Sequence, residues 1–139
     1  SIDIFKAHHA EIRTLISSTS DYLSEDQVVP NIDALWKNLQ ALFKIITVHL
    51  NTEDTLLYPE MLDSDNSKVR HLAKEYQIDM GWIVDSFKDF MEYWSLPKIT
   101  SDPVKFRHEM HKIIHSLKER IDKEERYLYP QFELAVPEN

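Results

Sequence analysis

The chain has 139 residues, 42% hydrophobic and 29% charged, the balance of one globular domain with a core of its own. Its net charge of −8 argues against nucleic acid and anionic membrane surfaces, since both recruit basic patches. With no cysteine there are no disulfides, zinc–thiolate sites or thiol nucleophiles, and one glycine is too few for a β-rich fold or a phosphate-cradling loop.

Apolar residues recur at helical spacing in four long segments. The first runs from Ile2 to Leu23 and carries Ile4, Phe5, Ile12, Leu15 and Ile16. The second starts near Pro30, which suits a first helical turn, and ends near Tyr58-Pro59. Its stripe is Leu35, Trp36, Leu39, Leu42, Phe43, Ile46, His49, Leu50, Glu53, Leu56 and Leu57. The third follows the cap-rich loop Asp63–Ser67 and runs to Trp94, with Leu72, Ile78, Trp82, Ile83, Phe87, Phe90 and Met91 on its apolar side. Leu96-Pro97 stops it, and Ser101-Asp102-Pro103 signals the start of the fourth. That segment reaches Tyr129, and extends toward Leu134, through Phe106, Met110, Ile113, Ile114, Leu117, Ile121, Glu124 and Leu128. Long amphipathic helices with short connections predict an all-α, up-down-up-down antiparallel four-helix bundle, one domain over 1–139.

The segments pair as two copies of a helical hairpin, clearest in His49-Leu-Asn-Thr-Glu53-Asp-Thr-Leu-Leu-Tyr58-Pro59 and Arg120-Ile-Asp-Lys-Glu124-Glu-Arg-Tyr-Leu-Tyr129-Pro130. The glutamate and the Leu-Tyr-Pro ending return in register, but Arg120 stands where the first copy has His49. Histidine and glutamate four apart share one helical face, and a charge on an inward stripe requires a partner or a metal. The inward candidates are His9, His49 with Glu53, His71 with Glu75, and Glu124. Histidines and carboxylates on facing helices are how bundles hold metal ions. Arg120 stays protonated and has no lone pair to give. His8 is expected to be exposed, and His108, His111 and His115 fall on the opposite side of the fourth helix from Glu124. Trp36, Trp82 and Trp94 are read as core or loop cover, and Tyr58 and Tyr129 as packing at one end of the bundle.

These residues carry a resemblance. His8-His9-Ala-Glu-Ile-Arg in the first segment, His49-Leu-x-x-Glu53-Asp-x-x-Leu-Tyr-Pro in the second and x-Ile-x-x-Glu124-Glu-x-x-Leu-Tyr-Pro in the fourth resemble the hemerythrin-like family, the HHE cation-binding domain. The resemblance implies non-haem iron, one or two ions, held by His9, His49, Glu53, His71, Glu75 and Glu124. It implies a small gas or anion ligand (dioxygen, nitric oxide or peroxide), and binding, sensing or iron handling more than an enzymatic turnover. The chain departs from the family twice: Glu75 replaces the second histidine of an HxxxH pair, and Arg120 replaces the fourth-helix histidine. Three glutamates balance one divalent ion plus the Arg120 guanidinium, so the expectation is a reduced site with Arg120 filling vacated space. The contrasting expectation is a metal-free interaction module, with Glu124 paired to Arg120. No apolar run reaches the roughly 20 residues that cross a bilayer, and no signal peptide is evident, giving a cytoplasmic expectation.

Overall fold

The computed structural model describes residues 1–136; the last three residues of the expected domain lie outside the described residues. Four long helices carry the fold: α1 (Asp3–Ser20), α2 (Ile32–Leu56), α4 (Ser67–Tyr93) and α6 (Pro103–Lys123). Short helices α3 (Tyr58–Leu62) and α5 (Leu96–Ser101) occupy connections that sequence reading left as loops. A π-helical turn (Glu124–Leu128) joins α6 to α7 (Tyr129–Ala135). Asn66, Ser95 and Asp102 cap α4, α5 and α6 by accepting from Lys68 N, Lys98 N and Lys105 N. Pro59, Pro97, Pro103 and Pro130 each sit in a first turn, where no amide hydrogen is missed.

Paired contacts fix the topology. Arg107 Nε donates to Leu23 O while His9 meets Glu125, so α6 runs antiparallel to α1. Phe90 stacks near Phe106 while Arg120 reaches Asp79, so α4 is antiparallel to α6. Phe43 meets Phe87 while Gln77 reaches Asp54, so α2 is antiparallel to α4. The alternation makes α1 and α2 antiparallel as well, an up-down-up-down bundle as expected from sequence.

The core is split. One apolar cluster, including Ile12, Ile16, Leu39, Ile46, Phe87, Phe106 and Ile121, fills the end of the bundle near Leu23 and Ile99. A second, including Phe5, Leu57, Tyr58, Ala73, Tyr76, Leu128 and Tyr129, fills the other end. Along α1, α2 and the α6–α7 rod the polar residues fall in the gap: His9 between Phe5 and Ile12, His49 and Glu53 between Ile46 and Leu57, Glu124 between Ile121 and Leu128. All four are essentially sealed from solvent.

The phase of α4 differs from expectation. Its buried side is Val69, Ala73, Tyr76, Met80, Phe87 and Phe90. At about 100° per residue, that stripe lies opposite the one through His71, Glu75, Ile78 and Trp82. Ile78 and Trp82, expected in the core, are 51% and 72% exposed. The phenylalanines at the C-terminal end of α4 set the inward face, and a small alanine and an amphipathic tyrosine continue it toward the N-terminus. Ile4 and Leu56, also read as inward, lie exposed.

Candidate metal centre

Three helical elements build the cluster. α1 supplies His9, α2 supplies His49 and Glu53 one turn apart, and the π-helical turn supplies Glu124. His9 Nε2 lies 3.2 Å from His49 Nε2 and 2.9 Å from Glu124 Oε1. His49 Nε2 lies 3.2 Å from Glu124 Oε1 and 3.3 Å from Glu53 Oε2. One ligating atom from each of His9, His49 and Glu124 falls within 4.8 Å of the others. Tyr129 enters the same group: its hydroxyl donates to Glu53 Oε2 at 2.9 Å and lies 3.0 Å from His9 Nε2.

The π-helical turn explains how Glu124 and Tyr129 meet. A wider turn closes on i−5 and aligns residues five apart; Tyr129 N–H donates to Glu124 O, and both side chains point inward. The same widening lets the consecutive Glu124 and Glu125 both face α1. His9 Nδ1 donates to Glu125 Oε2 at 2.6 Å, and Arg13 grips Glu125 with two further hydrogen bonds at 2.8 and 3.1 Å. An ionised carboxylate only accepts, so Nδ1 carries the hydrogen and Nε2 turns its other valence to the cluster. This is how a carboxylate orients a metal-ligating histidine. On the far side, His8 Nδ1 lies 3.2 Å from His49 Nδ1. His8 is therefore half-buried and engaged, against the expectation of exposure.

The electrostatics describe a site that lacks positive charge. Burial pulls His49 down, but hydrogen bonds to Glu124 and Glu53 and their charges lift it to about 10. Burial and the charge of Glu124 push Glu53 up to about 8. Burial opposes ionisation of Glu124 too, yet hydrogen bonds with His49 and His9 bring it to about 2. Burial and the two glutamates drive the Tyr129 hydroxyl well above the ordinary phenol range. Glu53 Oε1, Glu124 Oε2 and the Tyr58 hydroxyl are buried without a hydrogen-bond partner. Unmet buried carboxylate oxygens are costly. A cation among these donors satisfies them, so the residues present fit a metal ion.

The remaining sequence candidates lie elsewhere. His71 and Glu75, expected at the site, face outward at 76% and 58% exposure and pair with each other at 3.2 Å. No histidine or carboxylate on α4 is buried among the described residues. Arg120 is mostly buried, and its Nη2 donates to Asp79 Oδ2 at 2.8 Å while its guanidinium lies 4.7 Å from the centre of the Tyr76 ring. The alternative pairing with Glu124 is replaced by the one with Asp79. His108, His111 and His115 are exposed, as expected.

The family model described as the hemerythrin HHE cation-binding domain matches residues 1–132. The chain belongs to the hemerythrin family. Searches of curated proteins and of solved structures return no match. Within this hemerythrin domain, the structure brings together the side chains of His9, His49, Glu53 and Glu124, all expected inward from the sequence, and adds Glu125, Arg13 and the Tyr129 hydroxyl, which sequence reading passed over. The tandem Glu124-Glu125 was the available signal for the first of these. Periodic reasoning at 3.6 residues per turn lets only one of two adjacent residues face inward.

Proposed function

We propose that this hemerythrin domain binds a single non-haem iron ion through His9, His49, Glu53 and Glu124, and that the ion presents an open position to a small ligand such as dioxygen, nitric oxide or peroxide. The observation that carries this reading is the one-sided donor set: His9, His49 and Glu124 within 4.8 Å of one another, Glu53 beside His49, and no imidazole or carboxylate buried on α4. Two histidines with a carboxylate and free positions suit ferrous iron. The buried side of α4 carries Val69, Ala73, Tyr76 and Met80, a phenol and a thioether but no imidazole or carboxylate.

When bound, the iron supplies a redox-active Lewis acid. The chain does the rest. Glu125 and Arg13 hold the His9 ring, His8 steadies His49, and the Tyr129 hydroxyl holds a proton beside Glu53. Phe5, Leu57 and Leu128 keep water from that end of the site. Arg120, tied to Asp79, stands as structural filling on the side where a second ion would need a histidine.

Anaerobic titration with ferrous iron tests the reading. One ion per chain is expected, with uptake abolished in His49→Ala and a new visible absorption on adding nitric oxide. Arg120→His is expected to leave the stoichiometry at one, because α4 still supplies no ligand. Two tightly held ions per chain would overturn the one-ion assignment. A second reading has its own support: His9, Glu124, Tyr129 and Glu53 already close on one another at 2.9 to 3.0 Å. Protons then replace the ion, and the domain acts as a metal-free interaction module. A folded chain that takes up no metal in the titration selects that reading.

A further inference from the structure

The glycine that sequence reading singled out only by its rarity, Gly81, stands in the interior of the 27-residue helix α4. Glycine weakens a helix at such a position. A Cβ built there meets nothing within 4 Å, so no packing inside the chain calls for its absence. Gly81, half-buried, lies on the flank of α4 beside Ile78 and Trp82, two of the three large apolar residues that α4 leaves exposed. A cleft of about 270 Å³ opens beside them, walled by Trp82 and Ile83 of α4 and by Ile113 of α6.

The charge on this helix is polarised. Lys68, Arg70, His71 and Lys74 cluster before Ile78, with Glu75 the one acid among them. Asp85, Asp89 and Glu92 follow Trp82, with Lys88 the one base. All of these side chains are exposed. A second copy of α4 laid antiparallel sets each basic half on an acidic half, whereas a parallel copy opposes like charges.

We propose that two copies of this chain pair through the outward faces of α4, antiparallel about a two-fold axis midway between Ile78 and Trp82. With Ile78 of one copy opposite Trp82 of the other, the register places His71 opposite Asp89 and Lys68 opposite Glu92 on both sides of the axis, against one like-charged contact of Glu75 with Asp85. Such an interface is isologous, each patch meeting itself. The cleft beside Trp82 seats an apolar side chain of the partner. This pairing is independent of the metal site, whose residues face the bundle interior.

Sedimentation equilibrium of the full chain tests it. The chain is expected to dimerise reversibly, and Trp82→Asp and Ile78→Asp to weaken the dimer by about tenfold or more. The charge variants are more specific. D89K/E92K makes the face mainly basic and K68E/K74E makes it mainly acidic, setting like charges opposite each other at positions 68 and 92, so each alone is expected to be monomeric. An equimolar mixture of the two is expected to recover the dimer. All these positions are exposed, and helix content by circular dichroism is expected to match the parent chain. A parent chain that stays monomeric at high concentration overturns the proposal. So does a dimer indifferent to Trp82→Asp, or a mixture of the charge variants that does not associate.

Discussion

Glu125 shows how a residue that touches no neighbour in the inner cluster except one histidine can govern it. Its carboxylate fixes which nitrogen of His9 carries hydrogen, and Arg13 keeps it ionised: burial raises its pKa, but the hydrogen bonds from Arg13 and His9 bring it below the usual range. Glu125→Ala is expected to weaken metal affinity about 10- to 100-fold without loss of helix content, measured by competition with a chelator. His49 and Glu53 set the pH dependence. In the metal-free chain both pKa values lie above their ordinary 6.5 and 4.5, at about 10 and about 8. A raised pKa means stability that is present below the ordinary value and is lost as pH rises through the folded one. The metal-free protein is therefore expected to melt at a lower temperature at pH 10 than at pH 7. Metal binding displaces these protons, so affinity is expected to rise with pH from 6 to 8. Titration calorimetry in buffers of different ionisation enthalpy reads the protons released directly.

At the scale of the element, α4 and the π-helical turn decide the character of the centre. α4 turns His71 and Glu75 to solvent, where an exposed i,i+4 pair contributes only a few tenths of a kcal/mol, roughly 0.2 to 0.5. The double substitution His71→Ala, Glu75→Ala is expected to leave metal affinity within about twofold of the parent and the melting temperature nearly unchanged, checked by the same competition assay and a thermal scan. The phase of α4 was misread because Ile78 and Trp82 are more apolar than Ala73, Tyr76 and Met80, although the latter set shares the phase of Phe87 and Phe90. The π-helical turn was not legible at all. It appears as one residue too many in a regular repeat, and only the packed bundle shows that Glu124, Glu125, Leu128 and Tyr129 all find partners because of it.

Across the whole molecule, a one-sided layer of buried polar groups from α1, α2 and the π-helical turn lies between two apolar clusters. Four buried histidine and carboxylate side chains cost desolvation that the adjoining hydrophobic contacts must offset. An ion that binds only the folded chain stabilises it by mass action, about 2.7 kcal/mol at one hundred times the dissociation constant. Removing the metal with a chelator is expected to lower the melting temperature by roughly 10 °C for a domain of this size, read by calorimetry. The absence of any helix long and apolar enough to cross a membrane among the described residues matches the charged composition of the chain.

The sequence by itself determined the number and limits of the long helices, their antiparallel order, and the inward placing of His9, His49, Glu53 and Glu124. Those features follow from local rules: apolar spacing, proline and cap residues at helix starts, and the expense of burying a charge alone. The tertiary structure alone decided the rotation of α4, the pairing of Arg120 with Asp79, and the entry of Glu125 and Tyr129 into the polar group. Each of these depends on which residue of one helix stands opposite which residue of another. Periodicity within a single helix carries no information about that register, and a π-helical turn shifts it further.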